Sequence, residues 1–142
     1  MKKEIQFAHG LDVETIYFGG GTPTVLPPAL LRELMHEIYK NMNVARDAEI
    51  SIEANPGTVD ADTFSALRAM GFNRLSIGTQ CADDGLLKSL GRRHTFAQAA
   101  ATLESARRAG FSNVSMDLIY GLPGQTMDSW QQSVEHILTL EP

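Results

Sequence analysis

The sequence has one cysteine in 142 residues, no long apolar run, no low-complexity segment and no surplus of positive charge. Each shortage removes a class of protein. Cys81 alone cannot form an internal disulfide, which sets aside the stapled design of small secreted domains. No apolar run approaches the roughly 20 residues of a membrane-spanning helix or has the flanks of a signal segment. Lys and Arg number 12 against 17 Asp and Glu, and the formal net charge of -5 repels phosphate backbones and anionic lipid surfaces. Nucleic acid is therefore not an expected partner, no integral membrane segment is expected, and the expected setting is a reducing cytoplasm. Two phosphate-binding signatures are also missing, the Lys-Ser/Thr of a Walker loop and the Gly-x-Gly-x-x-Gly spacing of dinucleotide folds. His9, His36 and His136 lack any metal-ligand spacing.

What is present is an alternation of strand-like and helix-like segments, 43% hydrophobic and long enough to bury one core. Thr15 to Phe18, Glu49 to Ala54, Arg74 to Gln80 and Asn113 to Tyr120 read as strands. Between them, Leu30, Leu31, Leu34, Met35, Ile38, Tyr39 and Met42 form one stripe at helical spacing after Pro27-Pro28. Asp60 predicts the N-cap of a helix that carries Phe64, Leu67 and Met70 and stops at Gly71. A third helix runs from the Thr95 cap to Ala109 and stops at Gly110, and a fourth covers Asp128 to Leu140. This order predicts an α/β fold with a parallel sheet and right-handed crossovers.

An internal repeat supports the modular reading. Arg68-Ala69-Met70-Gly71-Phe72-Asn73-Arg74-Leu75-Ser76-Ile77 parallels Arg107-Arg108-Ala109-Gly110-Phe111-Ser112-Asn113-Val114-Ser115-Met116, each copy being a helix end, a glycine stop and the start of a strand.

Strand parity locates the site. Side chains alternate between the faces of a strand, so Leu75, Ile77 and Thr79 oppose Ser76, Gly78 and Gln80. Val114, Met116 and Leu118 likewise oppose Ser115 and Asp117, and Ile50 and Ile52 oppose Ser51 and Glu53. One face is apolar and fit for helices; the other is small or polar. An unpartnered buried carboxylate is costly, so Glu53, Gln80 and Asp117 on that face predict a polar lumen. The polar residues gather at strand C-terminal ends, where parallel α/β folds hold their ligands.

Plainer readings stand beside these. Gly19-Gly20-Gly21 can serve as a tight strand exit, or as bare backbone that a ligand approaches closely. Glu53 and Asp117 can be satisfied structural carboxylates, although their shared parity favours a site. Arg92, Arg93 and His94 read as a solvated loop, Trp130 as a core residue of the last helix, and Cys81 as a partly buried thiol with no catalytic base.

Five segments, Tyr17 to Pro23, Ile52 to Gly57, Arg74 to Gln80, Leu90 to His94 and Asp117 to Thr126, resemble in order and spacing the oxygen-independent coproporphyrinogen III oxidase family of radical S-adenosylmethionine proteins. Ala54-Asn55-Pro56-Gly57 is more similar to its haem-chaperone branch. The resemblance implies a partial (β/α)6, TIM-like barrel binding S-adenosylmethionine at its open end. By position it assigns Gly20, Gly21 and Thr22 to the methionyl amino group and Glu53, Gln80, Arg92 and Asp117 to the cofactor pocket. It also implies a [4Fe-4S] cluster that cleaves S-adenosylmethionine reductively to a 5′-deoxyadenosyl radical, with porphyrin or haem as substrate or cargo.

One departure from the family is plain: the cluster takes three cysteines from a loop before the Gly-Gly-Gly segment, and only Cys81 exists here. The expectation is therefore that residues 1–142 are an internal part of a radical-S-adenosylmethionine core domain, with the first strand, the cluster loop and the closing elements missing. No catalytic residue and no metal ligand is assigned, and such a piece is expected to be inactive alone. Its exposed sheet edges are expected to favour self-association.

Overall fold

The structure, a computed structural model, describes residues 2–142. Helix α1 (Lys2–Phe7) precedes strand β1 (Asp12–Phe18), and a 3-10 turn (Pro23–Val25) leads into α2 (Pro28–Asn41). The chain continues through β2 (Asn43–Ala54), α3 (Ala61–Ala69), β3 (Arg74–Gln80), α4 (Asp84–Ser89), α5 (Phe96–Arg108), β4 (Asn113–Leu118) and α6 (Met127–Thr139). The strands form one sheet in the order β1-β2-β3-β4, every neighbouring pair parallel. The α/β reading and its parallel sheet are borne out. β1 and β4 lie at the edges.

The split of faces follows the alternation in the sequence. Ile16, Ile50, Ile52, Leu75, Ile77, Val114 and Met116 turn into one core, against Leu31 and Met35 of α2, Phe64 and Leu67 of α3, and Leu103 and Ala106 of α5. These helices begin where capping allows. Asp60 accepts from the Thr63 backbone at 2.8 Å, and Thr95 forms a capping box with Gln98. The α3 and α5 boundaries match the expectation to within a residue of their caps.

Several elements differ from it. β1 and β2 start earlier than Thr15 and Glu49, because Asp12 and Val13 pair with Asn43 and Val44 across a register shift that the polar run Arg46-Asp47 conceals in the sequence. β4 ends at Leu118, two residues short, and α6 starts at Met127 under a Thr126 cap rather than at Asp128. Helices α1 and α4 and the 3-10 turn were not anticipated. Trp130 is half-buried and packs edge-to-face on Tyr120, centroids 6.1 Å apart, instead of entering the core. Cys81 is fully buried, against Leu87 and Leu122.

Candidate active site

The polar side chains predicted by parity form one row after another across the sheet. Glu53 of β2 stands opposite Ser76 of β3, which stands opposite Ser115 of β4. The row below joins Tyr17, Ser51 and Arg74. Parallel pairing in step therefore brings residues from four strands to one face. At its C-terminal edge lies a cleft of about 170 Å³, walled by Gly21, Thr22, Glu53, Asn55, Ser76, Gly78, Gln80, Arg92 and Asp117 among others.

Each wall has a local cause. Gly20 and Gly21 leave β1 at φ +87° and +70°, a backbone region open to glycine, and a Cβ on either would meet nothing within 4 Å. The space beside this exit is empty of protein, so bare backbone faces the cleft. Thr22 accepts a hydrogen bond from the Asn55 amide, tying the β1 exit to the β2 exit. Glu53 accepts from the Tyr17 hydroxyl on Oε1 and from the Gly20 backbone at 3.1 Å on Oε2. That contact pushes Tyr17 up to about 12, through the hydrogen bond to Glu53 first and then through burial and the carboxylate's charge.

On β3, the register shifts between Ile77 and Gln80, and Gln80 takes φ +69°. Its side chain folds back across Gly78, where a Cβ would lie 2.8 Å from Gln80 Nε2 and 3.1 Å from Asn55 Oδ1. Glycine at 78 is thus what lets two amides cross the floor of the cleft. On β4, Asp117 accepts from the Ser76 hydroxyl at 2.6 Å, and Ser76 in turn accepts from Ser115 at 3.2 Å.

Arg92 reaches the cleft through an unanticipated device. α4 ends in a Schellman turn, with Gly91 N–H donating to Lys88 and Arg92 N–H donating to Leu87, both at 3.0 Å. His94 Nε2 then anchors the segment against the Thr79 carbonyl at 3.2 Å. The reading of Arg92-Arg93-His94 as a solvated loop is corrected: only Arg93 is exposed, whereas His94 is buried and Arg92 half-buried at the cleft rim.

Of the residues singled out in the sequence, Gly21, Thr22, Glu53, Gln80, Arg92 and Asp117 share the cleft, and Gly20 adjoins it through Glu53. Asn55, Ser76 and Gly78 belong with them. Tyr17 was visible only as part of a motif, because its contact depends on the register between β1 and β2. A larger, mostly apolar hollow of about 410 Å³ lies beside the β1 edge, lined by Ile16, Phe18, Leu26, Leu34 and Ile38, and it meets the polar cleft at Thr22. Among the described residues no group of three or more His, Cys, Asp or Glu could hold a metal ion. No helix among them is long and apolar enough to cross a membrane.

A family model for the radical SAM superfamily matches residues 1–137. The chain belongs to that superfamily. The oxygen-independent coproporphyrinogen III oxidase of Pseudomonas aeruginosa is 40% identical over 132 residues, 92% of this chain and 29% of that protein. The heme chaperone HemW of Bacillus subtilis is 40% identical over 131 residues, 92% of this chain and 35% of that protein. The structure of Escherichia coli HemN, a coproporphyrinogen III oxidase and radical SAM enzyme, superposes with a TM-score of 0.89 at 37% identity, covering 99% of this chain and 33% of HemN. The chain thus spans about a third of the length of these proteins, and its fold matches that of part of HemN. Methylornithine synthase, at 19% identity and a TM-score of 0.75, shares the fold alone.

Proposed function

We propose that residues 1–142 are part of a radical SAM core domain that binds S-adenosylmethionine, in a cytoplasmic protein acting on porphyrin or haem in haem biosynthesis or delivery. The observation that carries the proposal is the charge pattern of the cleft. Two carboxylates, Glu53 and Asp117, face one guanidinium, Arg92, with Gln80, Asn55 and Thr22 as neutral partners. S-adenosylmethionine has the complementary pattern of two cations, its ammonium and sulfonium, and one carboxylate. The cleft is smaller than the ~300–1,000 Å³ usual for whole ligands, which suits it to one polar end of a ligand extending beyond it.

In this reading the strand exit at Gly20, Gly21 and Thr22 holds the methionyl end, where glycine lets the ligand lie against the backbone. Arg92 pairs with the carboxylate, for which its planar fork is suited. Glu53, Gln80 and Asp117 take the remaining polar groups and fix their orientation. When bound, S-adenosylmethionine would supply radical chemistry, and the residues named above would hold and orient its polar end. The residues of this chain do not fit the [4Fe-4S] cluster itself: a cubane needs several thiolates, and the single thiol, Cys81, is fully buried with its sulfur 3.5 Å from the Ser133 hydroxyl.

Oxidase and haem chaperone are both carried forward, because named relatives of each kind match at 40% identity. Ala54-Asn55-Pro56-Gly57 favours the chaperone, and Asn55 does hold the β1 exit through Thr22. A spectroscopic haem titration separates the two: tight stoichiometric binding supports the chaperone.

The ligand proposal is tested by calorimetric titration of S-adenosylmethionine into cluster-loaded full-length protein. Asp117→Ala removes a charged acceptor, a loss of about 1.5 to 3 kcal/mol, or roughly ten- to a hundredfold in affinity. Gly21→Val closes the approach to the backbone and is expected to abolish measurable binding. If both variants fold and bind as wild type does, the cleft is not the S-adenosylmethionine site.

A further inference from the structure

We propose that Tyr17 is a positioning residue of this site: with the Gly20 amide, its hydroxyl holds the Glu53 carboxylate in the pose in which that carboxylate faces the ligand. This rests on the reading of the cleft as the S-adenosylmethionine site. The two oxygens of Glu53 have separate donors, Tyr17 on Oε1 and Gly20 N–H on Oε2 at 3.1 Å, so the side chain is fixed by two bonds rather than one. Both donors come from β1 and its exit, while Glu53 is the next-to-last residue of β2. The carboxylate therefore bridges the two strands at the point where the bare Gly20-Gly21 backbone begins.

Register explains why position 17 can do this. Tyr17 pairs with Ser51, which puts Glu53 one row further along the same face, on a diagonal that a phenol ring spans. Gly19 supplies an independent sign of the arrangement. A Cβ there would overlap the Tyr17 ring at Cε1 and lie 3.1 Å from Glu53 Oε1, so ring and carboxylate together fill the space that a side chain at position 19 would need. The neighbouring carboxylate in turn keeps the phenol protonated, pushing it up to about 12, so Tyr17 remains a donor across the physiological range.

The energetic logic is preorganisation. A free glutamate side chain loses rotamer entropy when a ligand orders it. Donors fixed in advance remove that cost from binding. Asp117 has its own donor in Ser76, at 2.6 Å, so each carboxylate of the cleft is held by a hydroxyl from the preceding strand. The Tyr17 donor is the one absent from any expectation based on residue type, since a tyrosine before a strand exit reads as packing.

The test is a double-mutant cycle on the full-length protein, with S-adenosylmethionine titrated calorimetrically into wild type, Tyr17→Phe, Glu53→Gln and the double variant. Tyr17→Phe is expected to weaken binding about three- to tenfold, the range of one hydrogen bond, and Glu53→Gln roughly tenfold or more. The double variant should bind no worse than Glu53→Gln alone, because the phenol acts only through the carboxylate. Full affinity in Tyr17→Phe, which a ring that merely packs would give, overturns the proposal, and so do additive losses, which a hydroxyl acting independently of Glu53 would produce.

A second readout needs no ligand. In a tyrosine-labelled NMR titration the Tyr17 phenol should stay protonated to about pH 11 in wild type and titrate nearer the ordinary ~10 in Glu53→Gln. An ordinary value in both proteins overturns the contact. Failure of wild type to bind S-adenosylmethionine overturns the assignment of the cleft instead, and the phenol titration then judges the Tyr17–Glu53 contact separately.

Discussion

The two ends of the sheet are built on different principles. Where β3 and β4 begin, the chain repeats itself. α3 runs into β3 and α5 into β4 through the same Schellman turn, with Gly71 N–H on Arg68 and Phe72 N–H on Leu67, and Gly110 N–H on Arg107 and Phe111 N–H on Ala106. Both glycines take positive φ, +100° and +93°, and both phenylalanines that follow are buried. Where strands end, the four exits differ: a glycine exit follows β1, a Thr22–Asn55 tie follows β2, a left-handed Gln80 closes β3 and a serine-held Asp117 stands next to last in β4. Uniform, local construction at one end serves stability, and the varied end carries the cleft, as in barrels whose sites sit at strand C-termini.

The sharpest way to break this division is to damage the repeated end and look for an effect at the other. Phe72 is fully buried and stacks edge-to-face on Phe18, centroids 5.1 Å apart. Phe72→Ala should cost about 3 to 5 kcal/mol in urea unfolding, while the folded fraction keeps wild-type affinity for S-adenosylmethionine. Lost affinity at full stability would show that the two ends are coupled through β3.

A smaller effect probes the turn itself. At Gly71 a Cβ would sit 3.3 Å from the Tyr39 hydroxyl with φ at +100°, whereas at Gly110 the nearest atom is Arg68 Nε at 3.8 Å. Alanine at either position pays the left-handed penalty of roughly 1 to 2 kcal/mol, and Gly71→Ala should be the worse of the pair because it is also crowded. Equal melting temperatures for the two variants would mean that Tyr39, half exposed at 49%, simply moves aside.

The same division explains how much of the molecule was legible in the sequence. The repeated end was, because caps, glycine stops and strand alternation are local rules: Asp60, Gly71, Thr95 and Gly110 each stand where their residue type predicts. The polar face was legible for the same reason, since parity needs one strand at a time. What escaped depends on relations between segments. The phenol of Tyr17 meets Glu53 only through a register that shifts between Val13 and Thr15. His94 is buried because the short α4, six residues with little apolar periodicity, turns the chain back toward Thr79. Trp130 looked like a core residue by type, yet its position on α6 sets it beside the exposed Tyr120.

The smallest effect tests whether a residue can lie at the strand-exit end and still serve only stability. Asp60 follows the β2 exit, outside the cleft, and caps α3 by accepting from both the hydroxyl and the backbone of Thr63. The Thr63 hydroxyl first, and its backbone N–H second, hold the Asp60 carboxyl below its ordinary value of 3.8. A lowered folded-state value means that the ionised cap adds stability above the unfolded-state value and that this contribution fades as pH falls through the folded-state value. Asp60→Ala should therefore lower the unfolding midpoint at pH 7 by more than at about pH 3, and Asp60→Asn, which can still cap, should recover most of the pH 7 loss. S-adenosylmethionine affinity should be unchanged in both variants. A loss of affinity in Asp60→Ala alone would mean that the loop from Asn55 to Asp60 transmits the cap to the Thr22–Asn55 tie, and the line between scaffold and site would have to be drawn inside that loop rather than at the end of β2.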